Sequence, residues 1–426
     1  MLVAADWVLP IAASPIREGA VLVSGRRIAE VGSYADLRAR HPHEPVHEYP
    51  DCAITPGLIN AHTHLSLTAL HGLVEPRPFA EWLPLVARAM LGLNADDLAA
   101  SAVAGSLESL SYGVTAVGDV TYGPESIASA GDVGLGGVFY WEVLGMEASD
   151  LARVLRDHEF PNDADDCGSR TACGLSAHTP YTSGPELIAA AYRAARDRGV
   201  GFMMHAGESP AEQQLLRDGT GPLADTASRL AHGFSAPRTG AIRYLDRLCA
   251  LDSTVLVHCV HVLPDEFPLL PRAAGVVLCP RSNAYLRNGT PPVERIVGSG
   301  ALVALGTDSA ASNADLDVRA EARALRAIAP TLTASQLLRM LTVDAARVLG
   351  LDGFGALVPG APGDLAVFPV DASTAPEVGV IEAPEVRAVL SGGLWRVLET
   401  RETSRSRTLD QRLETARRKA RLTLRG

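Results

Sequence analysis

Eight short apolar segments recur along the middle of the chain, and patterns typical of amphipathic helices lie between most of them. Apolar runs of this length, bounded by turn residues, are typical of buried strands. Strands that alternate with helices favour a parallel sheet covered by helices, and eight such units predict an α/β fold closed as a (β/α)8 TIM barrel. The predicted strands are Ile54–Ile59, Val114–Val120, Gly137–Val143, Ala172–Ser176, Gly201–Met204, Thr254–Val257, Gly275–Leu278 and Leu302–Leu305. The predicted helices include Glu81–Leu91, Asp96–Ser109, Pro185–Arg198, Glu212–Arg217, Ala320–Ala327 and Ser335–Leu349.

Both ends of the chain carry strand patterns without the intervening helices. A hairpin signal, Ser24–Arg26, separates two short strands near the amino terminus, and Leu365–Val370, Val386–Leu390 and Leu394–Leu398 read as strands near the other end. A small sheet needs a partner to be stable, so the two ends are expected to combine. We predict a small β-sandwich domain from residues 1–53 and 356–400, a barrel domain from 54–355, and a basic tail from 401–426 that forms a solvated helix or a disordered end.

The composition restricts the partners. The formal net charge of -11 argues against nucleic acid or an anionic membrane as the main partner. The amino-terminal segment lacks a signal-peptide pattern, no apolar run is long enough to span a bilayer, and the six cysteines are scattered without a Cys-x-x-Cys pair. We therefore expect a cytoplasmic protein with reduced, buried thiols that acts on a small molecule. The chain is compatible with a homo-oligomer.

Residues suited to metal binding and proton transfer follow five of the eight predicted strands. Side chains two positions apart in a strand point to the same face, so the imidazoles of His62 and His64 aim at one point. The carboxyl ends of barrel strands meet at the face where barrels carry their chemistry. Any one of these residues alone could be an ordinary polar or core residue, but together they predict an active site. The set is His62, His64, His178, His205, Glu208, His258, His261 and Asp308.

These motifs resemble the amidohydrolase superfamily over nearly the whole chain. Pro56–His64 is similar to its strand-one signature and Leu305–Asp308 to its strand-eight signature, while Val23–Gly32 resembles its amino-terminal hairpin. His205 and Glu208, together with the segments His258–His261 and Cys279–Asn283, resemble the aminohydrolase branch. The resemblance implies a hydrolase of the C–N bonds of cyclic amidines.

The resemblance also assigns roles to the residues. One divalent ion would be bound by His62, His64, His205 and Asp308, most simply zinc, with iron(II) or manganese(II) as alternatives. Asp308 would accept a proton from a metal-activated water that attacks C6 of a purine, and His258 would orient that water. Glu208 would move a proton to the ring nitrogen and then to ammonia.

A single metal is expected because the chain contains only one lysine, Lys419, which lies in the tail. Binuclear relatives commonly bridge two metals with a carboxylated lysine on strand four. The corresponding strand here ends in Ser176-Ala-His178. The same absence of core lysines excludes Schiff-base chemistry and Walker-type phosphate binding.

The substrate is inferred from the loops at the mouth of the barrel. Phe79–Trp82 resembles the loop that covers the substrate in adenosylhomocysteine deaminases, but Ala80 stands where those enzymes carry a ribose-binding glutamate. Phe139–Gly145 and Glu208–Glu212 resemble the aminodeoxyfutalosine deaminases of menaquinone biosynthesis, whose substrate carries a benzoate. The substrate-binding residues predicted on this basis are His178, Trp82, Glu142, Arg77 and Arg281, with the arginines as candidate partners of a carboxylate.

Alternative functions remain open at this stage. Within the same chemistry, the chain could deaminate adenosylhomocysteine, methylthioadenosine or guanine. It could also hydrolyse another group, as the triazine chlorohydrolases do, or be a metal-binding barrel without catalysis. Ammonia release from a panel of aminated purines separates the first class from the other two.

Overall fold

The computed structural model describes residues 1–157, 170–230, 234–399, 401–402 and 407–425. Within these residues the strands, in chain order, are β1 Leu2–Val8, β2 Ile16–Ser24, β3 Arg27–Ser33, β4 Val46–Pro56, β5 Leu58–Thr63, β6 Val114–Thr121, β7 Gly136–Val143, β8 Thr171–Ala177, β9 Gly201–Ala206, β10 Thr254–His258, β11 Gly275–Leu278, β12 Val303–Leu305, β13 Leu365–Pro369, β14 Ala388–Ser391, β15 Leu394–Leu398 and β16 Arg401–Glu402.

Helices connect most of these strands. In chain order they are α1 Tyr34–Arg40, α2 Phe79–Met90, α3 Ala95–Ser111, α4 Pro124–Val133, α5 Ala148–Asp157, α6 Pro185–Asp197, α7 Pro210–Asp218, α8 Ala224–Leu230, α9 Ala241–Arg247, α10 Pro280–Tyr285, α11 Val293–Gly298, α12 Val318–Ile328, α13 Ala334–Met340, α14 Val343–Leu349, α15 Pro376–Glu382 and α16 Arg407–Arg425. Two 3₁₀ helices span Leu65–Leu70 and Phe267–Arg272.

The strands β5 to β12 form one parallel sheet in sequential order, which confirms the predicted barrel. The sheet closes where Thr63 pairs with Asp308, and the backbone N–H of Asp308 donates to the carbonyl oxygen of His62 at 3.0 Å. Gly306 allows this closure, because a Cβ atom there would lie 2.7 Å from the backbone nitrogen and oxygen of His62. The closing contact of the barrel therefore also brings two of the predicted metal ligands together.

Two predicted elements are divided in the structure. The apolar run Ile54–Ile59 was predicted as one barrel strand, but its first part belongs to β4, which pairs with β13 of the other sheet, and the barrel strand β5 begins at Leu58. The predicted helix Ser335–Leu349 is two helices, α13 and α14. The chain turns at Thr342 with φ -138° and ψ -104°, and the carbonyl oxygen of Leu341 accepts from the N–H of Ile59.

Strands from both chain ends form a second, mixed sheet, as predicted for the small β domain. Its order is β16-β15-β14-β13-β4-β1-β2-β3, and its buried side chains, such as Val21, Ile54 and Leu365, form a separate hydrophobic cluster. Arg170, immediately before β8, donates to both carboxylate oxygens of Asp364 at 2.8 and 2.9 Å and thereby ties this sheet to the barrel. The residue boundaries of the two domains stay a prediction.

In the described part of the tail, Arg401–Glu402 form β16, and Arg407–Arg425 form a helix that packs on the barrel and is not only a solvated end. One face of α16 buries Leu409, Ala416 and Ala420, and the helix contacts α2 and α3. Among the described helices, none has the length and apolar character needed to cross a bilayer. Of the cysteines, Cys167 lies outside the described residues, and the exposure of Cys249 differs from the burial expected of all of them.

Candidate active site

A cavity of about 680 Å³ opens at the carboxyl ends of the barrel strands. The residues that end or follow β5, β7, β8, β9, β10 and β12 line it, and they include six of the residues singled out in the sequence: His64, Glu142, His178, His205, His258 and Asp308. Glu208 and Trp82 also face this cavity. The barrel thus brings together in one place residues as far apart in the sequence as His64 and Asp308.

The four predicted metal ligands form a compact group at the base of the cavity. One ligand atom from each of His62, His64 and His205 lies within 4.8 Å of the other two. Oδ1 of Asp308 lies 3.6 Å from Nε2 of His62 and 3.5 Å from Nε2 of His64. All four side chains are buried.

The protonation states of these groups suit a metal. Nε2 of His62 and Nδ1 of His64 are buried without a hydrogen-bond partner. Burial and the neighbouring His62 lower the pKa of His64 to about 3, so its ring is neutral. Nδ1 of His205 donates to the carbonyl oxygen of His178 at 2.8 Å, which leaves the lone pair on Nε2. Three imidazoles beside one carboxylate are a donor set that fits a divalent transition metal.

Asp308 is held as a carboxylate in a fixed orientation. Burial acts to raise its pKa, but the neighbouring histidines His62, His258 and His64 keep that pKa well below its ordinary value. The hydroxyl groups of Ser282 and Ser312 donate to Oδ2 at 2.6 and 2.9 Å, so that Oδ1 is directed at the histidines. Such outer partners orient a ligand and limit its motion.

Glu208 lies beside the histidine cluster and is almost fully buried. Its Oε1 accepts from Nδ2 of Asn288 at 3.2 Å and lies 3.8 Å from Nε2 of His258. Burial, together with the charges of Asp308 and Glu212, raises the pKa of Glu208 well above its ordinary value. A carboxyl group that is protonated in such a site can act as a general acid.

His258 is oriented by a neighbouring amide. Its Nδ1 lies 3.1 Å from Oδ1 of Asn283, which places the proton on Nδ1 and the lone pair of Nε2 towards the cavity. Burial lowers the pKa of His258 to about 4, so the ring is neutral at physiological pH.

The backbone is strained at the same strand ends. His258, Cys259 and Asp308 have φ angles of 74°, 45° and 57°, in the left-handed region that residues with a side chain seldom adopt. The N–H of Cys259 donates to the carbonyl of Ala206 at 3.1 Å, which helps to hold this conformation. Strain of this kind concentrates at functional sites, where the surrounding structure imposes it.

Three predicted substrate-binding residues line the cavity above the histidine cluster. Nδ1 of His178 lies 2.8 Å from the hydroxyl of Thr182, which fixes its ring. Oε1 of Glu142 is buried without a partner, and burial raises the pKa of Glu142 to about 8. Trp82 donates from Nε1 to the carbonyl of Ala311 at 3.3 Å, which fixes its ring in the wall.

The two predicted arginines lie elsewhere. Arg281 donates to both carboxylate oxygens of Asp315 at 2.6 and 3.1 Å and lies 3.8 Å from Glu321. Arg77 donates to the carbonyl oxygen of its neighbour Glu75 at 3.1 Å. Neither lines the cavity, and within the described ranges its lining contains no arginine or lysine. The predicted carboxylate contact by these two residues is therefore not present in this structure.

The helix α2 forms an apolar wall on one side of the cavity. Its lining residues include Phe79, Trp82, Val86 and Met90, spaced three or four positions apart on one helical face. The amphipathic pattern was visible in the sequence, but its direction towards the cavity was not. Leu144, after β7, completes the apolar rim.

Several supporting residues were not identified from the sequence. Asn288, Ser312 and Glu212 each orient a predicted site residue or its backbone; the carboxylate of Glu212, for example, accepts from the N–H groups of Gly207 and Glu208 at 2.9 and 2.7 Å. Glu212 lay in the segment Glu208–Glu212, and Ser282 and Asn283 lay in the segment Cys279–Asn283, but the sequence assigned no role to these three residues. The role of Asn288 carried no local signal, because its partner Glu208 is 80 positions away in the chain.

Comparison with known proteins agrees with this geometry. The profile of the amidohydrolase family matches residues 53–396. The chain belongs to the amidohydrolase family. An aminodeoxyfutalosine deaminase of Deinococcus radiodurans is 34% identical over 348 residues, 78% of this chain and 81% of that protein. A 5-methylthioadenosine/S-adenosylhomocysteine deaminase of Moorella thermoacetica is 29% identical over 377 residues, 84% of this chain and 83% of that one.

A solved structure shares the architecture of this amidohydrolase almost completely. It is an adenosine deaminase from Xanthomonas campestris with bound zinc, with a TM-score of 0.85 and 25% identity, covering 99% of this chain and 98% of that one. These relatives are deaminases, which are hydrolases of C–N bonds, and the predicted family, fold and enzyme class are thereby confirmed. The cluster of His62, His64 and His205 is a candidate metal site of the same family.

Proposed function

We propose that this amidohydrolase is a metal-dependent hydrolytic deaminase of aminopurine nucleosides. The observation that carries the proposal is the buried cluster of His62, His64, His205 and Asp308 beside Glu208, whose pKa burial raises well above its ordinary value. One divalent ion, for which zinc is well suited, would be held by His62, His64, His205 and Asp308. When bound, such an ion lowers the pKa of water so that a nucleophile is available near neutral pH.

The chain supplies the proton transfers. Asp308, ionised and directed at the cluster, would accept a proton from the attacking water. Glu208 would donate its proton to the ring nitrogen next to the reacting carbon, so that negative charge does not accumulate on the ring. Glu208 would then take up the proton of the hydroxyl group added to the ring and pass it to the amino group, so that the C–N bond breaks, ammonia leaves and a carbonyl forms on the ring. The proton held on Asp308 would return to Glu208 and restore both carboxyl groups. His258, whose neutral Nε2 faces the site, would orient the water during attack.

The wall residues would position the purine. His178 and Glu142 offer one polar group each next to the cluster, and the unpartnered Oε1 of Glu142 is available for a hydrogen bond to the substrate. Trp82 and the apolar face of α2 would cover the ring and exclude water. Because the cavity has about 680 Å³, it has room for a nucleoside with a substituent on its sugar.

For the substrate itself we propose aminodeoxyfutalosine, which would place the enzyme in menaquinone biosynthesis. The supports are the relative from Deinococcus radiodurans, the Phe139–Gly145 strand and the alanine at position 80. The apolar wall suits the aromatic ring of that substrate. With Arg77 and Arg281 outside the cavity, its carboxylate would lie at the open mouth in contact with water.

Methylthioadenosine is the second candidate. A specific observation favours it: the wall beyond the histidine cluster is apolar, and its described lining contains no cation to meet an anionic group. A thioether substituent would be buried there without leaving a charge unpaired. Relatives that act on this nucleoside cover most of the chain as well.

A substrate panel tests the proposal. Specificity constants are measured for aminodeoxyfutalosine, methylthioadenosine, adenosylhomocysteine, adenosine and guanine with one enzyme preparation of known metal content. We expect aminodeoxyfutalosine to be deaminated fastest. A preference of roughly tenfold or more for another nucleoside, about 1.4 kcal/mol of transition-state binding, contradicts the finer assignment. Failure to release ammonia from every member of the panel contradicts the nucleoside deaminase proposal itself.

A further inference from the structure

The carboxyl-terminal helix α16 contacts the chain on both sides of the apolar wall. Arg417 donates to the carbonyl oxygen of His71 at 2.9 Å, before α2 begins. Lys419 pairs with Oδ2 of Asp97 at 2.6 Å, after α2 has ended. The segment between these two anchors contains the whole of α2 and therefore the wall of the cavity.

The packing of α16 holds this helix in a fixed position against α2 and α3. Its inward face carries Leu409, Ala416, Ala420 and Leu424, and their spacings of seven, four and four residues match one face of a helix. The two alanines allow a close approach to α2 and α3. At the end of α2, Gly92 lies directly against Thr423, and any side chain at that glycine would overlap the hydroxyl of Thr423.

Lys419 forms its ion pair with a buried carboxylate at the start of α3. Asp97 is buried in the first turn of α3, where its Oδ2 also accepts from the N–H of Asn94 at 3.0 Å. Lys419 is therefore bonded to the group that starts α3 and fixes the short connection from α2. A charged hydrogen bond to a buried carboxylate is stronger than one between exposed groups.

We propose that α16, through Lys419 and Arg417, positions the apolar wall of the cavity and so sets the preference for the group that the substrate carries away from its reacting ring. Lys419 is then a positioning residue, since it touches no atom that would react. The part that concerns substrate preference rests on the proposed nucleoside deaminase function. The part that concerns the position of α2 does not.

Hydrogen–deuterium exchange of the full-length, metal-loaded protein tests the positioning. In Lys419→Met, the amides of residues 79–91 should exchange roughly fivefold faster, because the wall opens locally more often. Lys419→Arg should restore slow exchange, and Arg418→Met, which removes an exposed cation from the same helix, should leave it unchanged. Unaltered exchange of 79–91 in Lys419→Met overturns the proposal. An equal acceleration in α6 also overturns it, because the effect would then be global.

Kinetics test the preference. In Lys419→Met, we expect KM for methylthioadenosine to rise severalfold. For adenosine, which lacks a large substituent, KM and kcat should stay at the wild-type values. An equal rise in KM for both nucleosides would contradict a role in substrate preference. If the wild-type protein deaminates neither nucleoside nor any other member of the panel, the proposed function fails. The exchange measurement then still decides whether α16 positions the wall.

Discussion

Replacing Glu208 with glutamine tests the proton transfer at the centre of the proposed chemistry. Glutamine has nearly the same size and shape, and its amide oxygen can still accept from Nδ2 of Asn288, which lies 3.2 Å from the carboxylate. The amide group of glutamine cannot release a proton to the ring nitrogen. The change therefore removes the proton donor and leaves the packing in place.

The expected loss in turnover follows from the role of Glu208 as a general acid. General acid–base catalysis contributes about 10²–10⁴ in rate, which corresponds to roughly 3–5 kcal/mol in the barrier. The side chain is almost fully buried and 3.8 Å from His258, so water has little access to replace it as a proton donor. We expect the loss in kcat, because the interaction matters most in the transition state.

The assay is ammonia release at saturating substrate, with metal content measured on the same sample. Glu208→Gln should keep the metal, since Glu208 is not part of the histidine cluster. Glu186→Gln, which alters an exposed carboxylate on α6, is the matched control and should be fully active. A Glu208→Gln enzyme within a few-fold of the wild-type turnover would refute the assigned role.

Three further predictions concern the metal, the barrel closure and the cavity. Elemental analysis should find one transition metal per chain, and two metals per active chain would contradict a mononuclear site. His62→Ala should lose both metal and activity, because it removes a metal ligand. Gly306→Ala should destabilise the protein by about 1–3 kcal/mol and weaken metal binding, because the new Cβ atom would overlap the backbone of His62. The control is Gly298→Ala, because the space around Gly298 is open. Equal unfolding midpoints for the two variants would contradict the argument. Burial raises the pKa of Glu142 from 4.5 to about 8, so the contribution of this side chain to the stability of the metal-free protein is greatest below pH 4.5, falls as the pH rises from 4.5 to 8 and is constant above 8. Relative to wild type, Glu142→Gln should therefore gain unfolding free energy as the pH rises from 4.5 to 8, by up to roughly 5 kcal/mol, and parallel pH profiles would contradict the assignment.

The barrel and its metal cluster could be predicted because their signals are local. Each strand is a short apolar run, and residues such as His62, His205 and Asp308 follow directly after or near the end of one. Once the strands are assigned to a closed barrel, their ends must meet, so the cluster follows from topology. The roles of the individual residues depended in addition on a resemblance to a family.

The errors have the opposite origin. Arg281 was expected in the cavity because it lies in a loop at the barrel mouth, but its guanidinium pairs with Asp315, 34 positions further on. The run from Ile54 reads as one strand because both sheets need apolar residues at this point. Such outcomes depend on which tertiary partner a residue finds, and neither periodicity nor composition contains that information.

The sequence also contained no signal for the packing of α16 on the barrel or for the strained backbone at the active site. The alanines of α16 become informative only when α2 and α3 lie opposite them. The left-handed backbone of His258 and Asp308 is accompanied by hydrogen bonds to neighbouring strands. Aspartate and histidine adopt this conformation more often than most residues with a side chain, but nothing in the sequence marks these two positions for it. These features were accessible only from the folded structure.

The most direct test of the central claim is the fate of the oxygen atom in the product. The enzyme is incubated with its best nucleoside of the panel in water enriched in ¹⁸O, and product and ammonia are quantified together by mass spectrometry and a coupled assay. Hydrolytic deamination predicts one ¹⁸O atom in each product ring and one ammonia released per product, with both signals lost in Asp308→Ala. Turnover without incorporation of solvent oxygen, or product formed without ammonia, would contradict the account.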